Sequence, residues 1–110
     1  MATKANLVID QGSTFSTDLT LQDEYGDPLA LSGYVANSQI RKWYTSTTAV
    51  NFVLDIPNPT DGTIELSLAA NVTANMEYGR YVYDIYIVKE NLVLRVVEGI
   101  LTVTPEVTQL

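Results

Sequence analysis

Side chains able to support chemistry are few in this sequence. It contains no histidine and no cysteine, which removes the usual general base, the commonest transition-metal ligands and a thiol nucleophile. Carboxylates, hydroxyls and six basic side chains remain, and they form no recognisable catalytic constellation. The sequence therefore predicts a protein that is not an enzyme, with no catalytic residue, no metal site and no cofactor.

Three small groups of residues are nevertheless candidates for binding. The acidic turn at residues 23–28 offers oxygen ligands of the kind that calcium takes, but its spacing is not that of an EF-hand loop. Trp43 and Tyr44 would stack on sugar rings if both were exposed. Asp84 and Arg95 fall close together on a predicted hairpin, which favours a cross-strand ion pair over a catalytic acid.

Length and charge narrow the class of protein. A chain of 110 residues, 46% of them hydrophobic, forms one domain whose core needs no disulfide. Six basic against thirteen acidic residues give a formal charge of −7, which disfavours nucleic acid as a partner. No segment has the length of a membrane span or the apolar core of a signal peptide, so we expect no membrane partner and synthesis in the cytoplasm.

Alternation of apolar residues with a period of two predicts an all-β domain. It is clearest from Phe15 to Gln22, and it recurs on both sides of a turn that ends in Asp61-Gly62. Residues 69–76 lose the alternation, which predicts a single helical turn. The predicted strands are 6–11, 15–22, 34–44, 50–56, 63–68, 78–88, 92–97 and 100–104. Seven or eight short strands predict an antiparallel β-sandwich in one domain, residues 1–110, with 105–110 as an extended tail.

The hairpin formed by 78–88 and 92–97 is apolar on both faces, and we expect a bulge at Gly99 before residues 100–104 continue its second strand. The face assigned to the core carries Tyr81, Tyr83, Ile85 and Ile87. The opposite face carries the residues of a predicted subunit interface, Val82, Tyr86, Val88, Val93 and Val97. Either a terminal segment covers this second face or another subunit does, because exposed apolar patches usually mark interaction sites.

The start of this hairpin resembles a known pattern. The run from Gly79 to Tyr83 is similar to the Gly-x-Tyr-x-Cys pattern on strand F of immunoglobulin domains, in which the tyrosine closes a corner by bonding to upstream backbone. Tyr83 stands where the cysteine would be. A larger apolar core therefore has to replace the disulfide.

Short segments along nearly the whole chain resemble a family of small immunoglobulin-like modules in tailed-bacteriophage virion proteins, including the N-terminal domain of siphophage baseplate upper protein. The segments are Gly12 to Phe15, Leu19 to Leu21, Tyr25 to Leu29, Leu31 to Gly33, Gln39 to Arg41, Gly62 to Ile64, Tyr78 to Asp84, Glu98-Gly99 and Val103 to Thr108. The resemblance implies an immunoglobulin-like β-sandwich of seven to eight strands.

The same resemblance implies a function and a location. It implies a non-enzymatic structural component of the virion, in the tail, baseplate or neck, made in the host cytoplasm and assembled in several copies. Its expected partners are other virion proteins and copies of itself. A capsid decoration protein and a carbohydrate-binding β-sandwich module remain the alternatives.

Overall fold

The computed structural model of the chain describes residues 3–42 and 49–105. These residues form nine β-strands and one short helix. In chain order the elements are β1 Thr3–Lys4, β2 Leu7–Asp10, β3 Phe15–Thr20, β4 Val35–Arg41, β5 Ala49–Val50, β6 Val53–Asp55, β7 Thr63–Leu68, α1 Ala70–Ala74, β8 Gly79–Lys89 and β9 Leu92–Thr104. The predicted strand between residues 100 and 104 is thus the continuation of β9.

The strands form the two layers of a β-sandwich, as the alternation predicted. The larger sheet has the order β1–β9–β8–β4–β5, with β2 also pairing with β9, and the smaller sheet has the order β3–β7–β6. β1 and β2 run parallel to β9, whereas the remaining pairs are antiparallel. The N-terminal strands therefore extend the larger sheet at its edge instead of covering its outer face.

The predicted hairpin around residues 57–62 is confirmed, although its first strand is divided. Leu54 pairs with Leu66 in the small sheet, whereas Val50 pairs with Ile40 in the large sheet. The prediction of one continuous strand over 50–56 is therefore wrong. Phe52 lies at the crossing between the two sheets and is 6% exposed, so the apolar alternation continues through a segment that changes sheets.

The predicted helical turn is α1, which packs on the end of the sandwich. Thr73 is fully buried there, and its Oγ1 donates hydrogen bonds to the Ser13 carbonyl (2.8 Å) and to the Ala70 carbonyl (3.1 Å). A buried hydroxyl needs such partners, so Thr73 fixes α1 to the turn between β2 and β3. No helix in the described part of the chain is long and apolar enough to span a membrane.

The core lies between the two sheets and combines aliphatic side chains with an aromatic cluster. Phe52 contacts Phe15 with ring centroids 6.1 Å apart and meets Tyr83 edge-on at 5.7 Å. Such tilted and edge-to-face pairs add to the stabilisation from buried area. The side chains with 0% or 1% exposure include Ile9, Leu31, Ile40, Ile64, Leu66, Ile85, Ile87, Val97, Leu101 and Val103.

Two tyrosines of β8 attach this strand to upstream backbone. The Tyr81 hydroxyl donates to the Glu77 carbonyl at 2.7 Å, which confirms the tyrosine corner predicted from the Gly-x-Tyr pattern. The Tyr83 hydroxyl donates to the Ala5 carbonyl at 2.6 Å, and both groups lie next to Gly99, which has no side chain to obstruct them. Tyr83 is 4% exposed, and burial raises its pKa to about 12.

The long hairpin contains a bulge, but not at the predicted place. Tyr86 pairs with Arg95 and Ile85 pairs with Val97, so Val96 is the additional residue in β9. Gly99 pairs regularly with Tyr83, and the prediction of a bulge at Gly99 is wrong. A bulge can place two consecutive side chains on one face, and both Val96 (9% exposed) and Val97 (0% exposed) point to the core.

Candidate functional site

The outer face of the large sheet is an ordered array of side chains from β4, β8 and β9. Because the register is known, the positions on this face align in four rows across the three strands. From the hairpin turn towards the opposite end, the rows are Val35–Val88–Val93, Asn37–Tyr86–Arg95, Gln39–Asp84–Glu98 and Arg41–Val82–Ile100. We call the first the apolar row and the second and third the polar rows.

An ion pair connects the two polar rows, and a hydrogen bond connects the third row to the fourth. Arg95 Nη2 lies 3.2 Å from Glu98 Oε2, and Arg41 Nη2 donates to Gln39 Oε1 at 2.6 Å. Arg95 and Glu98 are three residues apart, a spacing that would put them on opposite faces of a regular strand. The bulge at Val96 adds one residue between them, so both lie on the outer face.

Asp84 lies at the centre of the array, between Gln39 and Glu98. The prediction of an ion pair between Asp84 and Arg95 is wrong, because the bulge places Glu98 opposite Asp84 and Arg95 pairs with Glu98. Partial burial raises the pKa of Asp84 above its ordinary value, and the Glu98 charge adds to this, while Arg95 and Arg41 act in the opposite direction.

A groove with a volume of about 670 Å³ runs over this array, and ten of the twelve side-chain positions line it. It continues around the edge of β4, where residues 35–39 have no partner strand among the described residues on the side facing away from β8. Ser38 lines the groove from this edge; it is 8% exposed, and its Oγ has no hydrogen-bond partner among the described residues. The volume lies within the roughly 300–1,000 Å³ that is usual for small-ligand sites.

The structure brings together four of the five residues of the predicted subunit interface. Val82, Tyr86 and Val88 are half-buried on the outer face, and Val93 is 56% exposed beside them. Val97 is fully buried on the inner face and does not belong to this surface, because the bulge shifts the register between Arg95 and Val97. Val35, which is 63% exposed, completes the apolar row in place of Val97.

The other candidates from the sequence do not join this site. Trp43 and Tyr44 lie outside the described residues. In the acidic turn, Asp23 Oδ1 accepts hydrogen bonds from the backbone N–H groups of Tyr25 (2.9 Å) and Asp27 (3.1 Å), so this carboxylate holds the turn itself. Within residues 3–42 and 49–105, no group of three or more acidic side chains is placed to hold a metal ion.

Comparison with known proteins finds similarity in fold and none in sequence. No protein-family model and no curated protein sequence matches the chain. Among solved structures, the N-terminal domain of phage TP901-1 ORF48 is similar with a TM-score of 0.57 and 13% identity, over 90% of this chain and 84% of that one. The likeness establishes the fold.

A second solved structure is similar over part of its length. Listeria monocytogenes InlP matches 94% of this chain and 28% of its own, with a TM-score of 0.50 and 13% identity. The phage domain and the chain are by contrast nearly coextensive.

Sequence reasoning missed the residues that β4 contributes to the outer face. Asn37, Gln39 and Arg41 belong to the array only because β4 pairs with β8, and long-range pairing leaves no periodic signal in the sequence. The available signal was weak. Val35 and the polar residues at 37, 39 and 41 have the same parity, opposite to that of Ile40, so a strand anchored by Ile40 must present them outward.

Proposed function

We propose that the chain is a non-enzymatic structural module of a bacteriophage virion, in the tail, baseplate or neck, present in several copies. One observation carries the proposal: the chain shares its fold, over 90% of its length, with an N-terminal domain of a phage protein. The short sequence segments that resemble virion modules also support the proposal. The absence of histidine and cysteine from the sequence agrees with a function that requires no catalysis.

The apolar row is the surface that we assign to assembly, and a second copy of the chain is its partner. Val35, Val88 and Val93 cross three strands in register, and Leu92 (48% exposed) extends the apolar surface at the turn. The chain carries a charge of −7, so two copies repel each other over most approaches. The apolar row has no charged side chain. Contact through it therefore places no charged side chain of the row against its copy and covers apolar area that is exposed.

Complementation of the phage that encodes the chain tests this proposal. Val93→Glu places a carboxylate in the apolar row at a side chain already 56% exposed, so the variant is expected to fold. We expect far fewer copies of it in purified particles than of the wild-type protein, measured by quantitative mass spectrometry. Val53→Glu is the matched control, because Val53 is 65% exposed on the other sheet, and we expect normal incorporation.

Three results would contradict parts of the proposal. If the wild-type chain were absent from purified particles, the virion function would be wrong. If Val93→Glu were incorporated as well as Val53→Glu, the apolar row would not be the assembly surface. Gold labelling of the incorporated chain identifies its position, and label on the capsid would make the chain a decoration protein instead of a tail component.

A further inference from the structure

The proposed assembly role involves the apolar row and leaves the side chains of the two polar rows without a function. Six side chains with flat polar or aromatic groups lie next to one another on the floor of the groove: Asn37, Tyr86, Arg95, Gln39, Asp84 and Glu98. They present amide, carboxylate, guanidinium and phenol groups within one small area. We propose that this groove binds a neutral saccharide.

The balance of charges in the groove favours a neutral ligand. Arg41 and Arg95 balance Asp84 and Glu98, so the groove is locally neutral within a chain of charge −7. An anion would meet two carboxylates, and a cation would meet two guanidinium groups. A ligand rich in hydroxyls matches the balance better, because each hydroxyl both donates and accepts a hydrogen bond. Guanidinium groups only donate and ionised carboxylates only accept, so together they serve both functions of a hydroxyl.

The geometry is suited to a sugar ring in two further ways. Tyr86 lies beside Asp84 on β8 and gives an aromatic surface for the apolar C–H face of a sugar, flanked by Asn37 and Arg95. The polar groups stand on paired strands and not on loops, and the Arg95–Glu98 and Arg41–Gln39 contacts restrict their rotamers before a ligand arrives. Preorganisation of this kind lowers the entropy cost of binding.

Partial burial of Asp84 supports the assignment. A carboxylate partly buried at the centre of a groove meets less competition from water than one on an open surface, which strengthens the hydrogen bonds that it accepts. Its displaced pKa is the kind of perturbation that is frequent at binding sites.

A titration followed by amide NMR tests the proposal. Uniformly labelled protein is titrated separately with glucose, galactose, N-acetylglucosamine, rhamnose and their common disaccharides, each to tens of millimolar. We expect at least one sugar to cause saturable shifts that are concentrated on the amides of β4, β8 and β9 around Asp84 and Tyr86. Sodium phosphate and calcium chloride at the same concentrations are expected to cause no saturable shift at these amides.

Variants connect the shifts to the groove. Tyr86→Ala and Asp84→Ala should each weaken the affinity about tenfold or more, since each removes a contact worth on the order of 1.4 kcal/mol. Tyr86→Phe keeps the ring and should retain most of the binding. Tyr25→Ala is the matched control, because Tyr25 is 81% exposed in the acidic turn and does not line the groove, and it should bind like the wild type. A well-dispersed amide spectrum confirms that each variant is folded.

Several results would overturn the inference. These are the absence of saturable shifts with every sugar, a stronger response of the same amides to phosphate or calcium, and sugar binding that survives both Tyr86→Ala and Asp84→Ala. Loss of binding in Trp43→Ala with unchanged binding in Tyr86→Ala would assign the sugar site to Trp43 and Tyr44 instead. None of these results depends on incorporation into particles, so this proposal and the proposed function fail or stand separately.

Discussion

Gly99 is a position where the addition of a single methyl group should strongly lower the stability of the fold, because the backbone of Ala5 passes directly over it. A Cβ at this position would lie 1.9 Å from the Ala5 carbonyl oxygen and 2.7 Å from its carbon. An ordinary C···O contact is about 3.3 Å, so in Gly99→Ala the Ala5 carbonyl must move by about 1.4 Å or more. Because the new methyl group would meet backbone and not a flexible side chain, Ala5 itself has to move away from β9.

The cost follows from the two hydrogen bonds that Ala5 makes. Its carbonyl accepts from the Tyr83 hydroxyl at 2.6 Å, and its N–H donates to the Glu98 carbonyl at 2.9 Å. A buried hydroxyl that loses its acceptor costs about 1–3 kcal/mol, and a lost backbone bond costs about 0.5–1.5 kcal/mol. We expect the free energy of unfolding of Gly99→Ala to fall by about 2–4 kcal/mol, and Tm to fall by roughly 8–16 °C.

Urea unfolding followed by fluorescence measures this loss, and a double-mutant cycle identifies its origin. Tyr83→Phe alone should cost about 1 kcal/mol, and Gly99→Ala with Tyr83→Phe should cost less than the sum, because both changes remove the same bond. Gly26→Ala is the control: a Cβ there meets no atom of the described part of the chain within 4 Å, so only the positive φ of 83° opposes it, at about 1–2 kcal/mol. A Gly99→Ala variant as stable as the wild type, with additive effects in the cycle, would refute the reasoning.

Three further outcomes can be checked on the same sandwich. Tyr81→Phe loses the hydrogen bond to Glu77, and in urea unfolding it should be about 1–2 kcal/mol less stable. Ser38→Ala removes a buried hydroxyl that has no partner within residues 3–42 and 49–105, so the same measurement should show equal or slightly higher stability. Burial raises the pKa of Tyr83 to about 12, so the fold favours the neutral form of this side chain. The contribution of neutral Tyr83 to the free energy of unfolding should therefore be fully present below pH 10 and should be lost as the pH rises from about 10 to 12. Urea unfolding at a series of pH values measures this loss.

Local patterns of residues predicted local structure well. The alternation from Phe15 to Gln22 predicted β3, whose exposure alternates as the parity requires. The pattern at Gly79 predicted the corner made by Tyr81, because that hydrogen bond spans only four residues. In each case the residues that specify the structure are the residues that form it, and they lie close together in the chain.

Features that depend on a distant partner were not predictable in this way. The parallel pairing of β1 and β2 with β9 joins the two ends of the chain, and nothing in the alternation of Leu7 to Asp10 identifies that partner. The sequence predicted a bulge at Gly99 because glycine is common at bulges. It is required there for another reason, the close passage of Ala5, which is visible only once the N-terminal segment is in place.

The bulge at Val96 connects the fold to the proposed sugar site, and deleting Val96 tests that connection. Without it, Tyr86 still pairs with Arg95 and Ile85 with Val97, so every remaining residue keeps its partner and its face. The deletion removes a side chain that is 9% exposed. Burying a valine contributes about 1.5–3 kcal/mol, so we expect a folded variant that is less stable by about that amount.

The same deletion should weaken saccharide binding more than its loss of stability explains. A bulge bends its strand and increases the local twist, so its removal straightens β9 and moves Arg95 and Glu98 relative to Asp84. We expect the sugar-induced amide shifts to require about tenfold more ligand. Val96→Ala is the matched control, because it keeps the additional residue while losing most of the buried side chain, and it should bind sugar like the wild type. Equal binding by both variants would show that the bulge does not shape the groove.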